Sequence, residues 1–220
     1  MKHNNNDVVD AILYPYYEKL VRFIPRPITP NQLTLIGFFS ALAACVCLLV
    51  IPYREKLLLA AVLLYFWSFF DAMDGILARS KGDGTGFGSF LDHTVDAIAV
   101  LILFATILYA FQLNQIAFIL AYGLRMLVSV TTYVLSSHVD YLYLSRIGPT
   151  SEQFLCILLF VVTYFYPGDL ISYQGAFKIF GDLTGRSGIS VIGLGMLSYY
   201  LVVPVTVIQH FLLARRELSH

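Results

Sequence analysis

The sequence predicts an all-α integral membrane protein of six transmembrane helices, preceded by an N-terminal interfacial amphipathic helix. Three observations carry this expectation. Of 220 residues, 58% are hydrophobic and only 13% charged, with a mean hydropathy of +0.74. A soluble domain carries about a quarter charged residues, so there is too little polar surface here to coat a globule in water. The apolar residues also fall in blocks that match the roughly 20 residues a helix needs to cross a bilayer, whereas the start of the chain mixes charged and apolar positions at helical spacing.

In that first segment Val9, Ile12, Leu13, Tyr16, Leu20 and Ile24 recur at helical intervals, with Asp10, Lys19 and Arg22 between them. The pattern suits a helix lying in the membrane interface with its apolar face in lipid, or else a soluble cap on the cytoplasmic face. Pro25, Pro27 and Pro30 are expected to end it in an extended turn. Spans are expected near 33–52, 56–76, 89–110, 113–136, 152–167 and 188–212. Tyr53-Arg54-Glu55-Lys56 reads as a tight turn, and 77–88 as a polar, Gly-rich loop. Residues 168–187 read as a longer polar connection with room for a short surface helix. The organisation is therefore a cytoplasmic or interfacial segment, 1–30, and a six-helix membrane domain, 31–216, with no internal repeat and no cleavable signal peptide expected. Cys45, Cys47 and Cys156 lie in apolar stretches and read as small buried hydrophobes. The zero formal net charge points to no nucleic-acid partner.

Orientation follows from the basic residues. With an even number of spans, Lys2, Lys19, Arg22, Arg26, Arg79, Lys81, Arg146, Arg215 and Arg216 share one side, against Arg54, Lys56, Lys178 and Arg186 on the other. Both termini and the 77–88 loop are therefore expected in the cytoplasm.

The ionisable residues within or at the edges of the spans are Asp71, Asp74, Asp92, Asp96, Arg125 and Glu152. A carboxylate at the centre of a lipid-embedded helix costs roughly 2.5–3.5 kcal/mol on insertion scales. Asp71 and Asp74 are three residues apart and Asp92 and Asp96 four apart, so each pair shares a helix face. Antiparallel neighbours joined by a short loop would bring both pairs to one membrane depth. Asp71 and Asp74 are also expected near the C-terminal end of their helix, where the dipole disfavours negative charge. A hard divalent cation, Mg²⁺ or Mn²⁺, resolves both conflicts. Helix capping near the surface is the plain alternative, and a cation or proton path is the rival function. The loop favours phosphate chemistry over transport, because Gly75, Gly82, Gly84, Gly86 and Gly88 with Arg79 and Lys81 suit close backbone and charge contact with a phosphate group.

Read as one string, residues 71–96 are DAMDGILARSKGDGTGFGSFLDHTVD. This resembles the signature of the CDP-alcohol phosphatidyltransferase family: D, two residues, DG, two residues, AR, eight residues, G, three, D, three, D. Asp71, Asp74, Gly75, Ala78, Arg79, Gly88, Asp92 and Asp96 all match. The resemblance implies that Asp71, Asp74 and Asp92 are ligands of a two-metal Mg²⁺ or Mn²⁺ centre, and that Asp96 is the general base and touches metal too. It implies CDP contacts at Gly75, Ala78, Arg79 and Gly88, with Thr85 as a phosphate contact. Upstream, Asn31 and Thr34 are similar to the family's Asn-x-x-Thr segment, which lies against the nucleotide.

His93 follows Asp92 as a His does in the choline and ethanolamine phosphotransferase branch, where a Glu follows the motif glycine; here that position is Ser89. A direct catalytic role and a supporting one behind the ligands both stay open for His93. Residues 145–152 resemble the Gly-Pro-Thr-Glu segment of many bacterial members with one serine inserted, and also read as a helix start at Pro149 capped by Thr150 or Ser151. Arg146 and Glu152 are candidate acceptor residues on that resemblance. Arg125 either pairs with an aspartate or Glu152, or lines a pocket for an anionic group. The other histidines are expected at the surface.

The expected reaction is transfer of a phosphoryl-alcohol group from CDP-diacylglycerol, or another CDP-alcohol donor, to an acceptor hydroxyl with release of CMP. Serine, an inositol compound or glycerol phosphate are the acceptors considered. The alternative is a choline/ethanolamine-type phosphotransferase using a soluble CDP-alcohol and diacylglycerol; a cation transporter or channel is the distant one. The resemblance also implies a homodimer in the lipid bilayer, in the inner membrane if the source is bacterial.

Overall fold

The structure, a computed structural model, describes residues 2–4, 7–82, 84–111, 115–138, 141–143, 148–167, 169–172, 188–190, 204–212 and 214–215. Helix α1 spans Val8–Leu20 and runs into a 3₁₀ turn at Val21–Phe23. The long helices α2 (Pro30–Val50), α3 (Lys56–Lys81), α4 (Gly86–Ala110) and α5 (Gln115–His138) follow, then α6 (Pro149–Phe165). Short strands form two ladders: β1 (Lys2–Asn4) pairs in parallel with β2 (Tyr141–Tyr143), and β3 (Asp169–Ser172) antiparallel with β4 (Gly188–Ser190). Residues 204–212 are helical.

Three of these helices, α2, α3 and α4, are long and apolar enough to cross a membrane; α6 is apolar but shorter, at 17 residues. The predicted sixth span begins on β4, and its middle lies outside the described residues. The surface helix expected in 168–187 also falls mostly outside them, and the described part, β3, is a strand.

Several boundaries differ from expectation for local reasons. Pro30 does not extend the preceding turn; it is the first residue of α2. Thr29 Oγ1 accepts from Gln32 N–H at 3.3 Å while Gln32 Oε1 accepts from Thr29 N–H at 2.9 Å, a capping box with proline where no N–H is needed. The loop read at 77–88 contracts to Gly82–Thr85. Helix α3 continues to Lys81 and is closed by Gly82 at φ +69°, whose N–H reaches Ala78 and Arg79 carbonyls. Thr85 then caps α4 by accepting from Gly88 N–H at 3.0 Å. Arg79 is therefore a helix residue. Asp71 and Asp74 lie well before the end of α3, beyond the last turn where the helix dipole acts, so that part of the argument for a cation lapses.

Small residues let the helices close on one another. Ala41, Ala44 and Cys45 of α2 meet Ala60, Ala61 and Leu64 of α3, with Ala99 and Leu103 of α4 and Phe160 of α6 completing the cluster. A second cluster fastens the N-terminal segment: Tyr17 and Val21 pack with Leu33, Met73, Ile76 and Leu77, and Leu13, Tyr14 and Ile24 lie against them. The predicted single apolar face of α1 is thus divided. Leu13 and Ile24 face the protein, and an exposed stripe of Val8, Ile12, Tyr16 and Leu20 faces outward.

Candidate active site

A cavity of about 960 Å³ opens among α1 to α6. Its walls include Asn31 and Thr34 from α2; Asp71, Asp74, Gly75, Ala78 and Arg79 from α3; Gly88, Asp92, His93 and Asp96 from α4, with its cap Thr85; Arg125 from α5; and Glu152 from α6. Of the candidate residues drawn from the sequence, Arg146 lies outside the described residues, and Lys81 and Gly86 are not in the wall: Lys81 Nζ instead donates to the Arg26 and Ile28 carbonyls at 3.0 and 2.7 Å.

The helical spacings do what they imply. Asp71 on α3 and Asp92 and Asp96 on α4 each present a carboxylate oxygen within 4.8 Å of the others. Asp74, one turn along α3 from Asp71, turns to α2 and accepts a short hydrogen bond from Thr34 Oγ1. Asp92 Oδ1 is buried with no hydrogen-bond partner among the described residues, while His93 Nδ1 lies 3.5 Å from Asp92 Oδ2. Asp96 Oδ1 accepts from Trp67 Nε1 at 3.0 Å. Three converging carboxylates, one with an unsatisfied buried oxygen, fit a divalent cation bound through oxygen alone. The residues present therefore suit Mg²⁺ or Mn²⁺.

Arg79 folds back along its own helix. A Cβ on Gly75 would come 3.3 Å from Arg79 Nη2, so glycine is what lets the guanidinium lie there. Its other neighbour is Tyr14 of α1, whose hydroxyl accepts a short hydrogen bond from Nη2 and whose ring centre is 5.6 Å from the guanidinium carbon. Burial pushes the Tyr14 phenol upward and nearby Arg79 opposes the shift. Asn31 closes the same region from α2: a Cβ on Gly88 would meet Asn31 Oδ1 at 3.0 Å and Thr85 Oγ1 at 3.2 Å.

On the opposite wall Arg125 Nε meets Glu152 Oε2 at 2.6 Å and Arg125 Nη1 donates to Ser129 Oγ at 2.6 Å. Arg125 thus pairs with Glu152 and lines the cavity as well. Below the aspartates the lining turns apolar, with Val100, Leu103, Ile107, Leu159 and Phe160.

Two roles at the start of α1 were missed from sequence. Asp10 of α1 lines the cavity; burial raises its carboxyl to about 6, with a Thr150 hydrogen bond lowering it and Asp7 raising it further. Asp7, fully buried, caps two helices at once. It accepts from Val9 N–H at 2.8 Å for α1, and from Gly148 N–H at 2.8 Å and Ser151 N–H at 3.1 Å for α6, with Ser151 Oγ donating at 2.7 Å. The cap expected from Thr150 or Ser151 is therefore supplied from across the structure: the residue before Pro149 is Gly148, which has no side chain to offer. An N-cap signal directly ahead of the first apolar residue pair of α1, Asp7 before Val8 and Val9, was readable; its second partner was not.

A family model described as CDP-alcohol phosphatidyltransferase matches residues 27–209. The archaetidylinositol phosphate synthase of Pyrococcus horikoshii is 44% identical over 72 residues, 33% of this chain and 36% of that protein. The phosphatidylinositol phosphate synthase of Corynebacterium glutamicum is 45% identical over 84 residues, 38% of this chain and 37% of that protein. These alignments span little more than a third of either relative's length. The Mycobacterium tuberculosis phosphatidylinositol phosphate synthase with CDP-DAG bound has the same fold, with a TM-score of 0.60 at 19% identity over 89% of this chain and 91% of that one. Its complex with manganese and citrate gives 0.55 at 21% identity, over 90% and 86%.

Proposed function

The chain belongs to the CDP-alcohol phosphatidyltransferase family, and we propose that it transfers a phosphatidyl group from CDP-diacylglycerol to the hydroxyl of a polar acceptor, releasing CMP. The observation that carries this reading is the convergence of Asp71, Asp92 and Asp96 beside Arg79, in a cavity with one polar end and one apolar end. The polar end suits a nucleotide and pyrophosphate, and the apolar end suits acyl chains. A cation path would instead need polar groups to continue where Val100, Leu103, Ile107 and Phe160 stand.

Asp71, Asp74, Asp92 and Asp96 would hold the metal, with Thr34 fixing the rotamer of Asp74. A bound divalent pair would neutralise charge on the pyrophosphate and on departing CMP. Arg79 supplies a charged donor for the nucleotide phosphates, and Gly75 and Ala78 leave the space that brings the phosphates against α3. Asn31, Thr85 and Gly88 form the neighbouring wall for the cytidine end. Asp96 takes the proton from the acceptor hydroxyl as its oxygen bonds to the phosphorus bearing the diacylglycerol, and the bond from that phosphorus to the CMP oxygen breaks. The Arg125–Glu152 pair with its neighbour Ser129 forms the acceptor side, where His93 reaches from Asp92. Two of the relatives are named as synthases of inositol phosphate lipids, so an inositol phosphate heads the acceptors to try, with glycerol phosphate and serine beside it.

In the membrane we place six spans within residues 31–216 and both termini on the cytoplasmic side. Residues 1–30 lie at the interface. The exposed Val8, Ile12, Tyr16 and Leu20 stripe of α1 supports that placement, as do the three long apolar helices.

The test is purified protein with CDP-diacylglycerol, Mg²⁺ or Mn²⁺ and the acceptor panel, following CMP. Metal-dependent CMP release with one acceptor is expected, and Asp96→Asn should lose turnover while keeping CMP binding. No release with any acceptor would end the transferase reading; a fully active Asp96→Asn would end the base assignment.

A further inference from the structure

Trp67 is the chain's single tryptophan, sits one turn before Asp71 on α3, and is 2% exposed. Within an apolar cluster its bland role is filling space. Two observations point further. Its Nε1 donates across to α4, to Asp96 Oδ1, at 3.0 Å. On the other side, α2 approaches through Gly37, where an added Cβ would come 3.4 Å from Trp67 Cδ1 and 3.3 Å from the Trp67 carbonyl oxygen. Cδ1 neighbours Nε1 in the ring, so the glycine lies against the edge of the indole that carries the donor. The ring is therefore wedged between α2 and α4 with its N–H aimed at a carboxylate.

An aspartate turns about two single bonds, and a base or ligand acts well only when its oxygens are held in the productive plane. An indole N–H can donate but neither accept nor exchange its role. It therefore ties Oδ1 to the scaffold without competing for the acceptor's proton, and leaves Oδ2 as the oxygen free of the indole.

We propose that Trp67 is a positioning residue for Asp96: the Gly37-wedged indole fixes the carboxylate's orientation for metal binding and proton transfer. This rests on the transferase reading above.

The test replaces the single tryptophan with 3-benzothienylalanine, which keeps the ring's size and puts sulfur where the N–H was. Because outer partners of metal ligands typically govern 10–100-fold in affinity or activity, kcat should fall about 10–100-fold with the donor KM changed less than about threefold, and Mn²⁺ affinity should weaken about tenfold. Trp67→Phe, which also removes volume, should lose at least as much. In the natural chain Asp96→Ala should shift the tryptophan emission to shorter wavelength, since that emission has one source. An isostere with natural kcat and natural Mn²⁺ affinity, or an emission indifferent to Asp96→Ala, overturns the proposal. If the natural protein releases no CMP, the transferase reading fails, and the Mn²⁺ titration still decides what Trp67 does for Asp96.

Discussion

Asp7 ties the starts of α1 and α6 together, so its loss should cost this fold more than a single helix cap does. Replacing it with alanine removes one carboxylate from two helix starts. Each lost cap costs roughly 1 kcal/mol, and the buried Gly148 N–H, which donates to Asp7 at 2.8 Å, would be left unsatisfied at a further cost of about 1–3 kcal/mol. A total of about 3–5 kcal/mol corresponds to a fall in Tm of about 6–20 °C for a chain of this length. Asp7→Ser divides the two contributions, because serine still caps α1 but is too short to replace both bonds to α6; it should lose roughly two thirds as much. The assay is thermal unfolding of detergent-solubilised protein by far-UV circular dichroism. Since α6 carries Thr150 and Glu152 into the cavity, the variant should also bind CMP more weakly. A Tm within about 2 °C of the natural protein for Asp7→Ala would refute the two-helix account.

Gly75→Ala would press a methyl against the Arg79 guanidinium; the helix should tolerate it, while the KM for the CDP donor rises about tenfold, a loss of roughly 1.4 kcal/mol, read by steady-state CMP release. Arg125→Ala and Glu152→Ala each strand a buried charge and should destabilise by about 3–5 kcal/mol, whereas Arg125→Met with Glu152→Gln should recover most of that; equal melting of single and double variants would contradict the pairing. Asp10 sets a pH dependence. Its carboxyl is raised to about 6 in the folded protein, mainly by burial, so its stability contribution is complete below the unfolded value near 4 and is lost as pH rises through about 6. Asp10→Asn should therefore melt higher than the natural protein at about pH 7.5 and alike at about pH 3.5, compared by thermal scans.

Much of the site was legible because its determinants are local. Spacings of three and four place Asp71 with Asp74 and Asp92 with Asp96; the short connection does not pack α3 on α4, because both helices pack on α2 and face each other across the cavity, where Asp71, Asp92 and Asp96 converge. What the glycines of that stretch do was not legible as a group: Gly82 alone among the described glycines has positive φ, while Gly75 and Gly88 are helical and matter for what lies beside them. Asp7 could be read as a cap for α1, but its partner Gly148 is 141 positions away, and no pattern in the chain announces such a pairing. Trp67 stands in an apolar run with nothing in the sequence to mark it, and the direction of its N–H comes from the structure alone. The face of α1 was misjudged because both of its sides are apolar, one for protein and one for the surroundings.

The most direct test of the central claim follows the phosphorus. CDP-diacylglycerol carrying ³²P only in the phosphate attached to diacylglycerol is given to the purified protein with Mn²⁺ and the acceptor that supports CMP release. The carboxylate site predicts that all transferred label enters the new lipid and none enters CMP, and that a chelator stops both products together. Label in the nucleotide product, or transfer that continues without divalent metal, would contradict it.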